Sequence, residues 1–212
     1  MKKLFYCLII FFILVVSFAC SKDKLDCDKA RLQGKVLEKG SNKPLVGWTV
    51  YFSTCDCVLL GGCNCELKDS TTTDSKGNYS YDYDFGNTGD LFAYPKVQEG
   101  FLIYDYRVLG SYRKHRTETK DILIVPKAWI KLHIFNDKPF DQFDQFILSG
   151  SYNYPVDISL GGDSANETYK IMVPGNDSTT IGQYITKNDK LVIKKSKIYV
   201  PAHDTTFYEI KY

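Results

Sequence analysis

The sequence predicts an all-β chain made of two antiparallel β-sandwich domains. Three observations predict it. Tyr (16) and Phe (13) are abundant while Met (2) is scarce, a balance that favours pleated, half-buried strands over helices. From Ala30 onward, short segments alternate apolar and polar residues, the period-2 pattern of a strand with one buried face. Turn residues separate these segments, and none sustains a 3.6-residue period.

The chain opens differently. Met1-Lys2-Lys3 is positively charged, Leu4 to Phe18 is apolar, and Ala19 places a small residue before Cys20. Charged start, short apolar core and small-residue exit make a secretory signal peptide over residues 1–19. A helix over Leu4–Phe18 reaches roughly 22 Å, short of the roughly 30 Å hydrocarbon core, so a spanning anchor is the weaker reading. Ala19-Cys20 resembles the lipobox of bacterial lipoproteins, although Ser17 stands where Leu is usual and Phe18 is bulky. The resemblance implies lipidation of Cys20. Ser21 then leans towards the outer membrane, at its periplasmic face or at the cell surface. The alternative is an ordinary signal peptide cleaved near Ala19, with Cys20 a plain thiol. Residues 20–29 are short, polar and charged, and read as a tether.

The first strand is expected over Leu32–Glu38 and ends at the turn Gly40-Ser41-Asn42-Lys43-Pro44. The second covers Gly47–Thr54, with Trp48, Val50 and Phe52 on one face. A cysteine hairpin follows as an insertion at 55–65, and Leu67–Thr73 resumes the sheet. Asp74-Ser75-Lys76-Gly77-Asn78 reads as a tight turn, since Asp bonds its own backbone and Gly accepts positive φ. Tyr79–Phe85 alternates strictly, and Leu91–Tyr94, Phe101–Leu109 and Ile122–Val125 complete the first set. Pro126-Lys127 marks the boundary. Further strands fit Ile130–Ile134, Phe143–Leu148, Val156–Leu160, Thr168–Val173, Thr180–Ile185, Leu191–Lys195 and Thr206–Tyr212, a second sandwich over 127–212.

Seven cysteines are present. Cys7 lies in the signal peptide and Cys20 is the lipid site, which leaves Cys27 and the motif Cys55-x-Cys57, five residues, Cys63-x-Cys65. In a hairpin centred near Leu60, Cys57 faces Cys63 and Cys55 faces Cys65, close to disulfide range. Gly61-Gly62 frees the turn, and an oxidising compartment favours two stacked disulfides. The rivals are a tetrathiolate metal site, although zinc more often uses Cys-x-x-Cys, and reduced or reactive thiols. Cys27 is the odd thiol.

Gly34-Lys35-Val36, Pro44-Leu45-Val46-Gly47-Trp48-Thr49-Val50 and Thr73-Asp74-Ser75-Lys76-Gly77-Asn78-Tyr79-Ser80-Tyr81 resemble the carboxypeptidase regulatory-like domain. The resemblance spans about residues 30–126. It implies a seven-stranded prealbumin-like (transthyretin-like) sandwich of the broad Ig-like class. That domain is an accessory module, so no catalytic residues are carried over. The cysteine insertion departs from the family pattern.

The remaining constellations are weighed against plainer readings. His115, His133 and His203 are dispersed, and His133 falls on the face opposite Ile130, Leu132 and Ile134, so they do not suggest a metal site. Asp82, Asp84, Asn87 and Asp90 form an oxygen-rich loop, but the twelve-residue calcium pattern is missing. Tyr79, Tyr81, Tyr83 and Phe85 read as the core face of a strand before a sugar platform. Tyr152 and Tyr154, in a loop, are the candidate ligand-facing aromatics. Asp69-Ser70-Thr71, Asp163-Ser164-Ala165, Asp177-Ser178-Thr179 and Asp204-Thr205-Thr206 look like bacterial Asp-Ser/Thr-x glycosylation acceptors. No hydrolase, zinc-protease or phosphate-loop motif is present.

Loss of Lys2 and Lys3 with the leader takes 27 basic residues to 25, against 25 acidic. A near-neutral chain lacks the field that holds nucleic acid. The expectation is a non-enzymatic, lipid-anchored envelope protein with no cofactor. It contacts the membrane through its lipid and has a binding or scaffolding role towards an envelope protein or glycan. The alternatives are a glycan-binding surface lipoprotein in nutrient capture, and a thiol or metal protein built on the cysteine hairpin.

Overall fold

A computed structural model of the chain describes residues 29–58, 62–84, 90–104, 106–109, 117–149 and 157–212. These residues form fifteen strands and no helix. The all-β expectation holds. The chain groups into two compact units. One holds 29–36, 46–96 and 107–122; the other holds 37–45, 97–106 and 123–212. A division at residue 126 on sequence leaves 37–45 and 97–106 with the first domain, whereas here they pack with the second.

In the first unit, β1 (Lys29–Glu38), β4 (Asn78–Asp84) and β7 (Thr117–Thr119) form one sheet in the order β4-β1-β7. The other sheet is β3-β2-β5-β6, from β2 (Thr49–Val58), β3 (Gly62–Thr72), β5 (Asp90–Pro95) and β6 (Val108–Leu109). Alternation along β1 buries Ala30, Leu32 and Val36. Trp48, Val50 and Phe52 of the β2 segment are buried as well, as the sequence pattern requires. Phe52 stacks on Tyr81 at 4.4 Å and lies 6.1 Å from Tyr79; Tyr79 is a core residue and Tyr81 is half-buried beside it.

Two local devices fix this unit. Asp74 Oδ1 accepts the N–H groups of Lys76 (2.8 Å) and Asn78 (2.9 Å), and Gly77 takes φ 74°. That is the turn read from Asp74-Ser75-Lys76-Gly77-Asn78. At Gly34 a Cβ atom would sit 1.8 Å from the Lys120 carbonyl oxygen. Only glycine lets residues 119–121 cross there, and the Tyr79 hydroxyl donates to that same carbonyl at 2.6 Å.

The described residues of the cysteine hairpin, 55–58 and 62–65, continue the pairing of β2 with β3. A bulge between Phe52 and Ser53 sets the register so that Cys55 opposes Cys65 and Cys57 opposes Cys63.

Phe101–Leu109 is not the single strand expected. Phe101 makes an isolated bridge to Pro126, and only Val108–Leu109 is a strand. The Tyr106 side chain replaces the ladder: its hydroxyl donates to the Leu102 carbonyl (2.8 Å) and accepts the Val125 N–H (3.1 Å). Strand β7 went unread, since three residues carry too little alternation. β8 (Ile122–Ile124) is as expected.

The second unit is a sandwich of β9 (Lys127–Phe135), β10 (Gln145–Ser149), β11 (Asp157–Gly161), β12 (Asn166–Pro174), β13 (Asp177–Lys187), β14 (Lys190–Val200) and β15 (Thr205–Lys211). Its sheets run β11-β10-β13-β14 and β12-β9-β15, with β15 parallel to β9. Ala128, Ile130, Leu132, Ile134, Val173 and Ile210 share one core with Phe146, Leu148, Ile181, Ile185, Ile198 and Val200. Each buried Ile or Leu contributes about 1.5–3 kcal/mol over its exposed state. One polar tie crosses that core, where Ser196 Oγ accepts from Gln183 Nε2 (2.8 Å) and from the Tyr208 hydroxyl (2.9 Å).

Candidate functional site: an aromatic outer sheet face

The alternation that fills the core of the second unit also sets what lies outside. In β9 the even-numbered residues are buried, so Trp129, Lys131, His133 and Phe135 point outward. The register aligns three rows beside them. Met172, Trp129 and Thr205 form one; Lys170, Lys131 and Phe207 the next; Thr168, His133 and Glu209 the third. Residues directly opposite across a strand pair share a face. The outer face of β12-β9-β15 therefore carries Trp129, His133, Phe135, Phe207 and Met172 together.

The rings form a ladder. His133 stacks on Phe135 at 5.1 Å and lies 6.5 Å from Phe207. Phe207 is 59% exposed and Met172 43%, high values for residues that water disfavours. Lysines border the rings: Lys170 Nζ lies 5.1 Å from the Trp129 centroid and Lys211 Nζ 5.2 Å from that of Phe135. Both ring nitrogens of His133 face oxygens, Nε2 at 2.8 Å from Asn166 Oδ1 and Nδ1 at 3.5 Å from Glu209 Oε2. The hydrogen bond from Lys211 is the main cause that holds the exposed Glu209 carboxyl below its ordinary range, with His133 adding to it. The face thus offers apolar ring surface for stacking and a bordering set of donors and acceptors, which suits a ligand with flat apolar faces and hydroxyl edges.

Two further polar clusters lie in this unit, and both tie chain segments together. Glu38, 6% exposed, accepts from Ser41 Oγ (2.7 Å), Asn176 Nδ2 (3.0 Å) and His203 Nε2 (3.0 Å). Burial alone would push its carboxyl up, but the three hydrogen bonds and the His203 charge outweigh it and hold it below the usual range. Asp144, 1% exposed, accepts from Asn136 Nδ2 and the Phe140 N–H, both at 2.8 Å. Lys187 Nζ stands 3.8 Å from Asp144 and donates to Asn136 Oδ1 and the Lys138 carbonyl, both at 2.6 Å. Against the opposing effect of burial, these donors keep the Asp144 carboxyl low.

The residues singled out on sequence divide as follows. Cys55 and Cys65 form a disulfide with Cα atoms 4.1 Å apart. It takes two of the four thiols that a tetrathiolate metal site requires, so that site does not form alongside it. Cys57 and Cys63 pair in backbone register, while their side chains lie outside the described residues. So do Cys20, Cys27, Tyr152 and Tyr154. Asp82 is engaged in a two-pronged ion pair with Arg31 (2.5 and 2.9 Å), its partner across β1 and β4, while the side chains of Asp84, Asn87 and Asp90 lie outside the described residues. Ser70, Ser164 and Thr205 are exposed and Ser178 is half-buried. His133 is outward-facing as expected, and His203 belongs to the Glu38 cluster. Sequence reasoning missed the aromatic face. Its signal was Trp129-x-Lys131-x-His133-x-Phe135, which the expected strand start at Ile130 cut short.

No protein-family profile matches the chain, and no curated protein matches it in sequence. Several solved structures are similar to it. The Bacillus anthracis TIE protein is 9% identical with a TM-score of 0.39, over 86% of this chain and 34% of that one. A streptococcal ancillary pilin is 12% identical with a TM-score of 0.37, over 89% and 63%. GBS52, the minor pilin of Streptococcus agalactiae, is 10% identical with a TM-score of 0.38, over 86% and 94%. The chain spans about a third of the first and less than two thirds of the second.

Proposed function

We propose that the protein is a non-catalytic, lipid-anchored binding protein of the bacterial envelope, held at the outer membrane through Cys20. The first unit is read as a carboxypeptidase regulatory-like accessory module. The second is read as the recognition module, with the outer face of β12-β9-β15 as its contact surface. The observation that carries this reading is the cross-strand grouping of Trp129, His133, Phe135 and Phe207 on a face that the core does not need. That grouping favours a glycan ligand over an unspecified scaffold role, because sugar rings stack on aromatic faces while their hydroxyls use bordering polar groups.

Two measurements test it. Glycan-array binding by the full chain is expected to fall roughly five- to tenfold for Trp129→Ala and for Phe207→Ala, the loss of one stacking contact of about 1–1.5 kcal/mol. Unchanged far-ultraviolet circular dichroism would show both variants folded. Binding that survives both substitutions removes this face from recognition. For the anchor, Cys20→Ser is expected to abolish acyl labelling and release the protein from membranes; retained labelling refutes lipidation at that residue.

A further inference from the structure

The second unit also ends in an open strand edge. β14 is the terminal strand of β11-β10-β13-β14 among the described residues. Asn188 and Asp189, at φ 47° and 54°, form the two-residue loop that closes the Lys187–Lys190 pair. Two positive φ values mark a type I′ hairpin, whose closing pair exchanges both backbone hydrogen bonds. With no register shift along the hairpin, bonded pairs recur at residues 192, 194, 196, 198 and 200. The N–H and C=O groups of Leu191, Ile193, Lys195, Lys197 and Tyr199 therefore point away from β13, towards the open edge.

The side chains there are equally unusual. Lys190 to Lys195 are exposed at every position, so both faces of the strand lie bare. Outside the sheet, Ile193 sits opposite Tyr184 and Tyr184 opposite Ile147, an apolar row exposed at 56%, 37% and 39%. β14 carries Lys190, Lys194, Lys195 and Lys197 and no acidic residue. Edge lysines suppress pairing with like strands. A second copy of β14 would bring four more lysines to within about 4.8 Å, one strand spacing. An acidic strand meets no such penalty.

We propose that β14 is a docking edge that takes an acidic, extended segment of a partner protein as a fifth strand of the sheet. Main-chain bonds form at Leu191, Ile193, Lys195 and Lys197. Carboxylates on the outward face sit by Lys195 and Lys197, and the alternate apolar side chains fall on the opposite face beside Val192. This surface is separate from the aromatic face, so the two readings fail independently.

The test uses the full chain in detergent and a short fluorescein-labelled peptide of alternating Glu and Val, with Thr-Val and Lys-Val peptides as controls. The Glu-Val peptide is expected to bind at least about tenfold more tightly than the Thr-Val peptide and to weaken as salt shortens the screening length. Hydrogen exchange in residues 190–199 slows when it binds. Ile193→Pro removes an edge donor whose N–H points away from β13. It and the triple variant K194E/K195E/K197E each lower affinity at least about tenfold, whereas Trp129→Ala does not. Four results would overturn the proposal: no binding; equal binding of the Thr-Val peptide; binding untouched by Ile193→Pro with exchange unchanged; or dimers that dissolve on Ile193→Pro, which would make a second copy the occupant. Should Ile193→Pro fail to fold, the exchange pattern and the triple variant decide alone.

Discussion

Glu38→Ala should destabilise the second unit by about 2–3 kcal/mol at about pH 7. The carboxylate takes three donors, Ser41 Oγ, Asn176 Nδ2 and His203 Nε2, at 2.7–3.0 Å. Hydrogen bonds to a charged group contribute about 1.5–3 kcal/mol each. That sum overstates the loss. Ser41 is exposed and the His203 side chain is 44% exposed, so both re-pair with water. Asn176 Nδ2 also reaches the Lys39 carbonyl at 3.3 Å. About one full charged hydrogen bond, with fractions of the others, remains, which gives the figure above. The effect is tied to pH with a definite sign. The folded carboxyl is held below its ordinary value of about 4.3, so its stabilisation is present above that value and lost as pH falls through the folded pKa. The assay is urea unfolding followed by tryptophan emission in a Trp48→Phe background, which leaves Trp129 of the same unit as reporter. The gap between parent and variant should be full near pH 7 and narrow markedly by about pH 3. A difference below about 0.5 kcal/mol at neutral pH, or a gap unchanged in acid, would refute the account of Glu38 as a charged clasp.

Three other substitutions probe separate parts of the structure. Gly34→Ala puts a methyl group 1.8 Å from the Lys120 carbonyl oxygen and should cost about 3 kcal/mol or more in denaturant unfolding; a cost under about 1 kcal/mol would mean that residues 119–121 shift freely. Phe146→Ala empties a fully buried site whose ring lies 5.0 Å from that of Tyr212 and should cost about 3–5 kcal/mol, measured by thermal or urea unfolding. Cys55→Ser with Cys65→Ser opens a ten-residue loop and should cost about 2–3 kcal/mol. Non-reducing peptide mapping of the parent should recover the Cys55–Cys65 link, and its absence would return the hairpin to the thiol or metal reading.

The strands were legible because alternation is a local property. Trp48, Val50 and Phe52 declare one face of β2, and Asp74-Ser75-Lys76-Gly77-Asn78 declares its turn, within a few residues of sequence. The cysteine register was legible for the same reason, since a hairpin pairs near neighbours. What stayed hidden depends on distant partners. Phe101–Leu109 alternates well enough to read as a strand, but the Tyr106 hydroxyl bonds Leu102 and Val125 and breaks the ladder. Glu38 reads as the polar end of a strand until Asn176 and His203 arrive from more than a hundred residues away. The aromatic face is hidden in the same sense. Trp129 and Phe207 lie in segments 78 positions apart, and only the parallel pairing of β15 with β9 places them in adjacent rows.

The two surfaces proposed for recognition share a physical argument. A strand that serves only the core shows regular alternation, buried then exposed, as β9 does over its nine residues. β14 keeps that pattern only near its end, where Ile198 and Val200 are buried; from Lys190 to Lys195 every residue is exposed. Those residues fill no core, yet fixing each backbone costs about 1–2 kcal/mol in entropy, and Leu191, Val192 and Ile193 keep apolar side chains in water. The outer face of β12-β9-β15 carries a similar cost in Phe207 and Met172. Features that burden the free protein in this way are best explained by a state in which they are covered, and their chemistry separates the two covers. Stacked rings bordered by hydrogen-bonding groups suit a sugar, whereas an open backbone edge lined with lysines suits an acidic strand.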